Sequence, residues 1–185
     1  MNKKNIWFET KRLKIFHPSI SDYEDYLSLL KNEKVTKYTY KYNDDAQVQN
    51  DLDKVLEHYK KHKFSVGIIR LNHSLEFIGR AGLFYNKFEN EMHLTLVYLL
   101  LPQFWGKGYG TEIVNGLINY TFYDLNLNKI LVLIHEKNLP SQYLLKKFNP
   151  LFVKKINHSN MIFNQYIIYK NKTVLNLIYS LNDKQ

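Results

Sequence analysis

The stretch Pro102-Gln103-Phe104-Trp105-Gly106-Lys107-Gly108-Tyr109-Gly110-Thr111-Glu112 decides the fold of this chain. An apolar run over residues 94–101 precedes it and predicts a buried strand, while the apolar residues that follow are spaced as on one helix face. A strand therefore passes through a glycine turn into a helix. Glycines leave main-chain amides unobstructed, and a helix start adds partial positive charge. The stretch predicts a site for an anion such as a pyrophosphate, with Lys107 beside it.

The composition favours one domain over residues 1–185, with a polar tail that frays after residue 181. The chain has 185 residues, of which 45% are hydrophobic, and this is enough for a sizeable core. It contains no cysteine, which excludes disulfides and thiolate chemistry and favours a reducing, cytoplasmic location. We find no apolar run of the length of a signal peptide or a membrane span, so we expect no membrane partner.

The formal charge of +9 favours anionic partners, since 26 Lys and Arg residues face 17 Asp and Glu residues. The lysines are scattered, however, and accompany abundant asparagine, isoleucine and tyrosine, as a coding bias would produce. Because no recognition motif accompanies the charge, we do not expect specific nucleic-acid binding.

Hydrophobic periodicity and turn residues predict a sheet covered by helices. The strands are expected over residues 10–16, 64–70, 76–84, 92–101, 129–135 and 161–169. Helices are expected after a capping box of Ser21 with Glu24, from Asp44, after the glycine turn, and over residues 141–148. This order indicates an α/β (α+β) fold with a mixed sheet.

Three blocks of sequence resemble the GNAT family of N-acetyltransferases, in particular its branch of RimJ and RimL ribosomal-protein acetyltransferases. They are Thr10-Lys11-Arg12-Leu13, the glycine turn, and Asn138-Leu139-Pro140-Ser141 with the helix that follows, in register over residues 9–170. The resemblance implies the GNAT fold, a mostly antiparallel mixed sheet of about six to seven strands with about four helices. It is also compatible with a homodimer.

The same resemblance implies acetyl-CoA as co-substrate. Main-chain amides of the glycine turn would surround its pyrophosphate, and its pantetheine arm would pair with the preceding strand where a bulge splays that strand from its neighbour. Asn138 would bind the same arm through its amide, or would only be a polar residue in the turn before a helix. The residues so assigned are Tyr98, Leu99, Leu100, Trp105, Gly106, Lys107, Gly108, Tyr109, Gly110, Thr111, Asn138 and Ser141.

Acetyl transfer from a thioester needs a proton for the departing thiolate and donors for the oxyanion. Ser141 matches the serine that serves as proton donor in the RimL branch, and Tyr143 is a second candidate. Ser141 could instead be a helix-start hydroxyl, because serine is a favoured cap. A main-chain amide near Leu99 or Leu100 could stabilise the oxyanion.

The general base that would deprotonate the amine departs from the family pattern, because Thr95 stands where this branch usually carries glutamate. Strand periodicity places Glu91, His93 and Thr95 on one face of the sheet. Histidine titrates near neutrality, so His93 becomes the predicted base, directly or through water. The alternative is an ordinary, half-exposed strand histidine.

Two further groups of residues leave alternatives open. His58 and His62, four apart on a helix, could share a metal, but no third ligand is evident, so we expect exposed polar residues and no metal. Arg80 could face the acceptor or pair with a carboxylate such as Glu76. The acceptor pocket is expected between residues 38–42 and 156–163.

The predicted function is an acetyl-CoA-dependent N-acetyltransferase. It would act on a primary amine, either a protein N-terminus or a small amine, by direct attack in a ternary complex. Thr95 motivates one alternative, a non-catalytic acyl-CoA-binding or regulatory module. The basic charge motivates another, a binder associated with the ribosome or nucleic acid.

Overall fold

A computed structural model describes residues 5–88, 90–158 and 161–170. In these ranges eight strands form one sheet in the order β1-β2-β3-β4-β5-β6-β8-β7. The strands are β1 (Ile6–Glu9), β2 (Leu13–Phe16), β3 (Val66–Leu71), β4 (Phe77–Phe88), β5 (Glu91–Leu100), β6 (Lys129–His135), β7 (Leu151–His158) and β8 (Met161–Tyr169). The helices are α1 (Tyr23–Leu30), α2 (Glu33–Thr36), α3 (Asp45–His62), α4 (Tyr109–Asn119) and α5 (Leu139–Lys146).

The mixed, mostly antiparallel sheet confirms the predicted fold class, although the strand count is higher than expected. β5 and β6 are the parallel pair, and the other neighbouring strands pair antiparallel. The two strands that the sequence did not predict, β1 and β7, form the two edges of the sheet. Edge strands bury less side-chain surface than central ones, so their apolar pattern is weaker.

Local sequence explains where the first helices begin. Asp44 caps α3, because its carboxylate accepts a hydrogen bond from the amide of Gln47 at 2.8 Å. The predicted capping box of Ser21 and Glu24 is wrong. The box instead joins Ser19 and Asp22 and precedes a single 3-10 turn that leads into α1, because Pro18 ends the extended segment one residue before Ser19.

The sheet has two faces with separate cores, which we name after the helices that cover them. On the α4 face, Ile113, Val114 and Leu117 of α4 pack against β5 through Leu96 and Leu100. On the α3 face, Tyr26, Val48 and Leu52 from the helices pack around Ile68 and Leu99. Because side chains alternate along a strand, odd-numbered residues of β5 face α3 and even-numbered ones face α4.

Candidate functional site

The glycine turn adopts the backbone that its sequence predicts. Gly106 and Gly108 have φ angles of +73° and +82°, in the left-handed region that favours glycine. Gly108 precedes α4, whose first intrahelical bond runs from the amide of Glu112 to the carbonyl of Gly108 at 3.1 Å. The amides of the three residues between them therefore have no acceptor within the helix.

Space around the turn fits a bound anion. A Cβ atom added to Gly106 would meet no atom within 4 Å, so this part of the turn is open. One added to Gly108 would lie 3.3 Å from Nη2 of Arg12, which brings a guanidinium to the same turn. Free amides, a helix start and a nearby cation together suit a diphosphate.

Arg12 and Glu112 fasten the turn to the loop between β1 and β2, a role that sequence reasoning missed. Arg12 donates from Nη1 to the carbonyl of Lys107 at 2.9 Å and from Nε to the Glu112 carboxylate at 2.7 Å. Thr10 donates to the same carboxylate at 2.6 Å. Burial alone would raise the pKa of Glu112, but the hydrogen bonds from Thr10 and Arg12 hold that pKa below its ordinary value.

A gap opens beside β5, the strand that leads to the turn. β5 pairs with β6 at Thr95 and Leu131, with no further pair between these two fully described strands. The expected bulge in β5 is absent, since the β4–β5 register is regular along its whole length, and the parallel partner separates instead. Two strands held at a single point diverge through their own twist.

The main-chain groups that border this gap follow from the alternation of an antiparallel pair. The amide of Leu101 donates to the carbonyl of Ile78 on β4 at 2.9 Å. The N–H and C=O groups of Leu99 therefore point to β4, while those of Tyr98 and Leu100 point to the β6 side. The carbonyl of Leu100 already accepts from the indole N–H of Trp105 at 2.7 Å.

Ser141 lies beside Tyr98, on the α4 face. Asn138 is the N-cap of α5 and accepts from the amide of Ser141 at 3.3 Å, so the serine hydroxyl does not serve as the cap. The hydroxyl of Tyr98 donates to Oγ of Ser141 at 3.1 Å. Burial raises the pKa of Tyr98, so this donor stays protonated. Sequence reasoning assigned Tyr98 to the cofactor and missed this side-chain contact.

Tyr143 occupies a different part of α5. Its side chain is 71% exposed. Two residues along an α-helix correspond to a rotation of about 200°, so Tyr143 and Ser141 point away from each other. The structure therefore does not bring the two predicted proton donors together.

Thr95 and His93 lie on the same sheet face, as alternation predicts. The buried Thr95 hydroxyl donates to the carbonyl of Phe84 at 2.8 Å and accepts from the side-chain amide of Asn86 at 2.6 Å. These bonds occupy the Thr95 hydroxyl. His93, two residues earlier, is partly exposed and lies near the Glu91 carboxylate, 3.7 Å from Nε2.

A cavity of about 330 Å³ lies beside His93, between the end of the β4–β5 hairpin and the β7–β8 hairpin. We call it the hairpin cavity. Its lining residues are Lys87, Phe88, His93, Lys155, Ile156, Asn157, His158 and Gln165. Residues 156–158 belong to the segment expected at the acceptor pocket, whereas residues 159 and 160 of that segment lie outside the described residues.

The tyrosine-rich segment of residues 38–42 lies near the α3 face of the sheet. The ring of Tyr38 lies 5.4 Å from the ring of His135 at the end of β6. Tyr42 donates to Asp51 of α3 at 2.7 Å. The buried guanidinium of Arg80 faces α3 and pairs with Asp51, so it pairs with a carboxylate, as one of the two alternatives predicted, but the partner is Asp51 rather than Glu76.

His58 is buried, which contradicts the expectation of an exposed polar residue. Its Nδ1 donates to the carbonyl of Phe64 at 2.9 Å, and its Nε2 accepts from the amide of Tyr85 at 3.0 Å. Because Nε2 accepts, the ring is neutral with its proton on Nδ1. The described residues contain no group of three His, Cys, Asp or Glu side chains that could hold a metal ion.

Comparison with known proteins identifies the family. The family profile described as acetyltransferase (GNAT) domain matches residues 12–149, so the chain belongs to the GNAT acetyltransferases and the resemblance is confirmed. The chain is 30% identical to the uncharacterized N-acetyltransferase p20 of Bacillus licheniformis over 149 residues, which are 76% of this chain and 79% of that protein. A match to YkkB of Bacillus subtilis, at 27% identity, covers 46% of this chain and about half, 49%, of that protein.

Solved structures share the fold. One is the Salmonella typhimurium acetyltransferase that modifies the N-terminal serine of the 50S ribosomal subunit protein L7/L12. It has a TM-score of 0.73 at 11% identity, and the match covers 88% of this chain and 97% of that one. Among the described helices of this chain, none is long and apolar enough to cross a membrane.

Proposed function

We propose that this domain is an acetyl-CoA-dependent N-acetyltransferase that acetylates a primary amine by direct attack in a ternary complex. One observation carries the proposal: the glycine turn follows β5 along the chain, β5 borders the gap, and Tyr98 of β5 contacts Ser141, a series of groups that we call the donor path. The turn offers free amides for a pyrophosphate. Leu100 offers its main-chain amide for an amide-containing arm, and the hydroxyl of Tyr98 meets Ser141 where that path ends.

Different residues of the path would serve different steps of the acetyl transfer. The amide of Tyr98, which points into the gap farther from the turn, would stabilise the oxyanion as the amine nitrogen attacks the thioester carbonyl. Ser141 would give its proton to the departing thiolate and recover one from solvent, while the hydroxyl of Tyr98, which donates to Oγ at 3.1 Å, orients the serine. Asn138, whose Oδ1 caps α5, has its amide nitrogen left for the pantetheine arm.

The amine would approach from the hairpin cavity. His93 lines that cavity and lies two residues before Thr95, where β5 and β6 meet. This spacing is about 6.6 Å along a strand, so we propose that His93 takes the amine proton through water. Thr95, whose hydroxyl is occupied, would contribute to the shape of the site rather than to proton transfer.

A screen of amines with acetyl-CoA tests this proposal. Release of free CoA can be followed with a thiol reagent without background, because the chain has no cysteine. We expect release that depends on the amine, and a loss of rate of about 100-fold in His93→Gln. Tight binding of acetyl-CoA without turnover of any amine would favour the non-catalytic acyl-CoA-binding module instead.

A further inference from the structure

The polar part of the hairpin cavity is basic or neutral. Two lysines, two histidines, one asparagine and one glutamine line it together with Phe88 and Ile156, and none of these eight residues, all within the described part of the chain, is acidic. Phe88 lies between the two histidines, with ring centroids 6.3 Å from His93 and 5.9 Å from His158. The cavity therefore presents cationic groups on both hairpins, around an aromatic centre.

The two lysines differ in whether a carboxylate among the described residues already pairs with them. Lys87 has no ion pair among the residues that the structure describes. Lys155 pairs with Glu136 at 3.0 Å, but its side chain is 61% exposed, and a second carboxylate can share its three donors. Glu91 lies near His93, yet its side chain is 79% exposed and its charge is screened by water.

This lining disfavours some amines and favours others. A polycationic acceptor, such as a polyamine, would bring its remaining ammonium groups against two lysines and find no carboxylate among the lining residues that the structure describes. An amine that carries a negative charge would place that charge between Lys87 and Lys155. We infer that the hairpin cavity selects acceptors with an anionic group close to the amine, in particular the N-terminus of an acidic peptide. The inference rests on the proposed function.

Three peptides with the same N-terminal serine test the inference: one continues with glutamates, one with alanines and one with lysines. We expect kcat/KM for the acidic peptide to exceed that for the neutral peptide about 3- to 10-fold, with the lysine peptide lowest. Added salt should reduce the difference, because the pairs are solvent-exposed. The double variant Lys87→Gln with Lys155→Gln should bring the acidic-to-neutral ratio close to one, whereas the double arginine variant should keep it.

A matched control removes one charge elsewhere. Lys60 is exposed on α3 and is not among the lining residues, so Lys60→Gln should leave all three rates unchanged. Equal rates for the three peptides in the wild type, or a preference that survives in the double glutamine variant, would overturn the inference while leaving the proposed function intact. If acetyl-CoA binds but no peptide or other amine is acetylated, the proposed function fails and the inference fails with it.

Discussion

The glycine turn and the hairpin cavity recognise their proposed ligands in different ways. The turn offers main-chain amides, held in place by left-handed glycines and by the Arg12–Glu112 pair. The cavity offers side chains from two hairpins that are far apart in sequence. Main-chain recognition tolerates sequence change around a fixed backbone shape, whereas side-chain recognition changes with each substitution. The donor site can therefore stay constant in such a fold while the acceptor site varies.

The largest effect should come from a substitution that damages the turn. Gly108→Glu forces a side chain onto a φ of +82° and places a carboxylate at the proposed diphosphate site. We expect acetyl-CoA to bind on the order of 100- to 1,000-fold more weakly by calorimetry. Asn50→Glu adds the same charge on α3, on the opposite sheet face, and should leave affinity unchanged. Wild-type affinity in Gly108→Glu would refute the donor site.

A smaller effect should follow from loss of the proposed proton donor at the end of the donor path. Ser141→Ala should lower kcat about 100-fold without weakening acetyl-CoA binding, and Tyr98→Phe about 10-fold, because it removes only the bond to Ser141. Tyr143→Phe distinguishes the two candidates, since Tyr143 points away from Ser141. If Tyr143→Phe lowers kcat more than Ser141→Ala does, then Tyr143 is the donor.

Sequence predicted the backbone of the glycine turn better than the hairpin cavity for a physical reason. The turn is local: its glycines, the preceding apolar strand and the following helix are consecutive residues, and its conformation follows from their types. The bounds of β6 and β8 were also predicted, because both strands are central and apolar. The hairpin cavity instead depends on β7, an edge strand whose side chains are mostly exposed and show no strict alternation.

Contacts between distant residues could not be predicted at all. Thr10 and Arg12 were part of the family resemblance, but their bonds to Glu112 join positions about 100 residues apart. The hydroxyl contact of Tyr98 with Ser141 likewise needs the packing of α5 on the sheet. Periodicity assigns a residue to a face of the sheet, but it does not identify the partner that meets it there.

The α3 face and the α4 face are also held to the sheet by different groups. The stabilisation of the two faces should therefore depend differently on pH. On the α3 face, neutral His58 joins Phe64 and Tyr85, and burial lowers its pKa to about 4. The unfolded chain takes up this proton near pH 6.5, so the stabilisation is complete above that pH and is lost as pH falls towards 4. On the α4 face, the lowered pKa of Glu112 preserves its stabilisation until the pH falls below the ordinary carboxyl range.

Acidification should therefore weaken the α3 side first, and this is the smallest of the expected effects. Between pH 7.5 and 5.5 we expect His58 to cost about 1 kcal/mol of the free energy of unfolding, measured by urea titration. His58→Gln should reduce this slope, while His73→Gln, in the exposed β3–β4 turn, should leave it unchanged. Some slope will remain, because burial also lowers the pKa of His17 and His62. A slope in His58→Gln as steep as in the wild type would show that the neutral imidazole does not fasten α3 to the sheet.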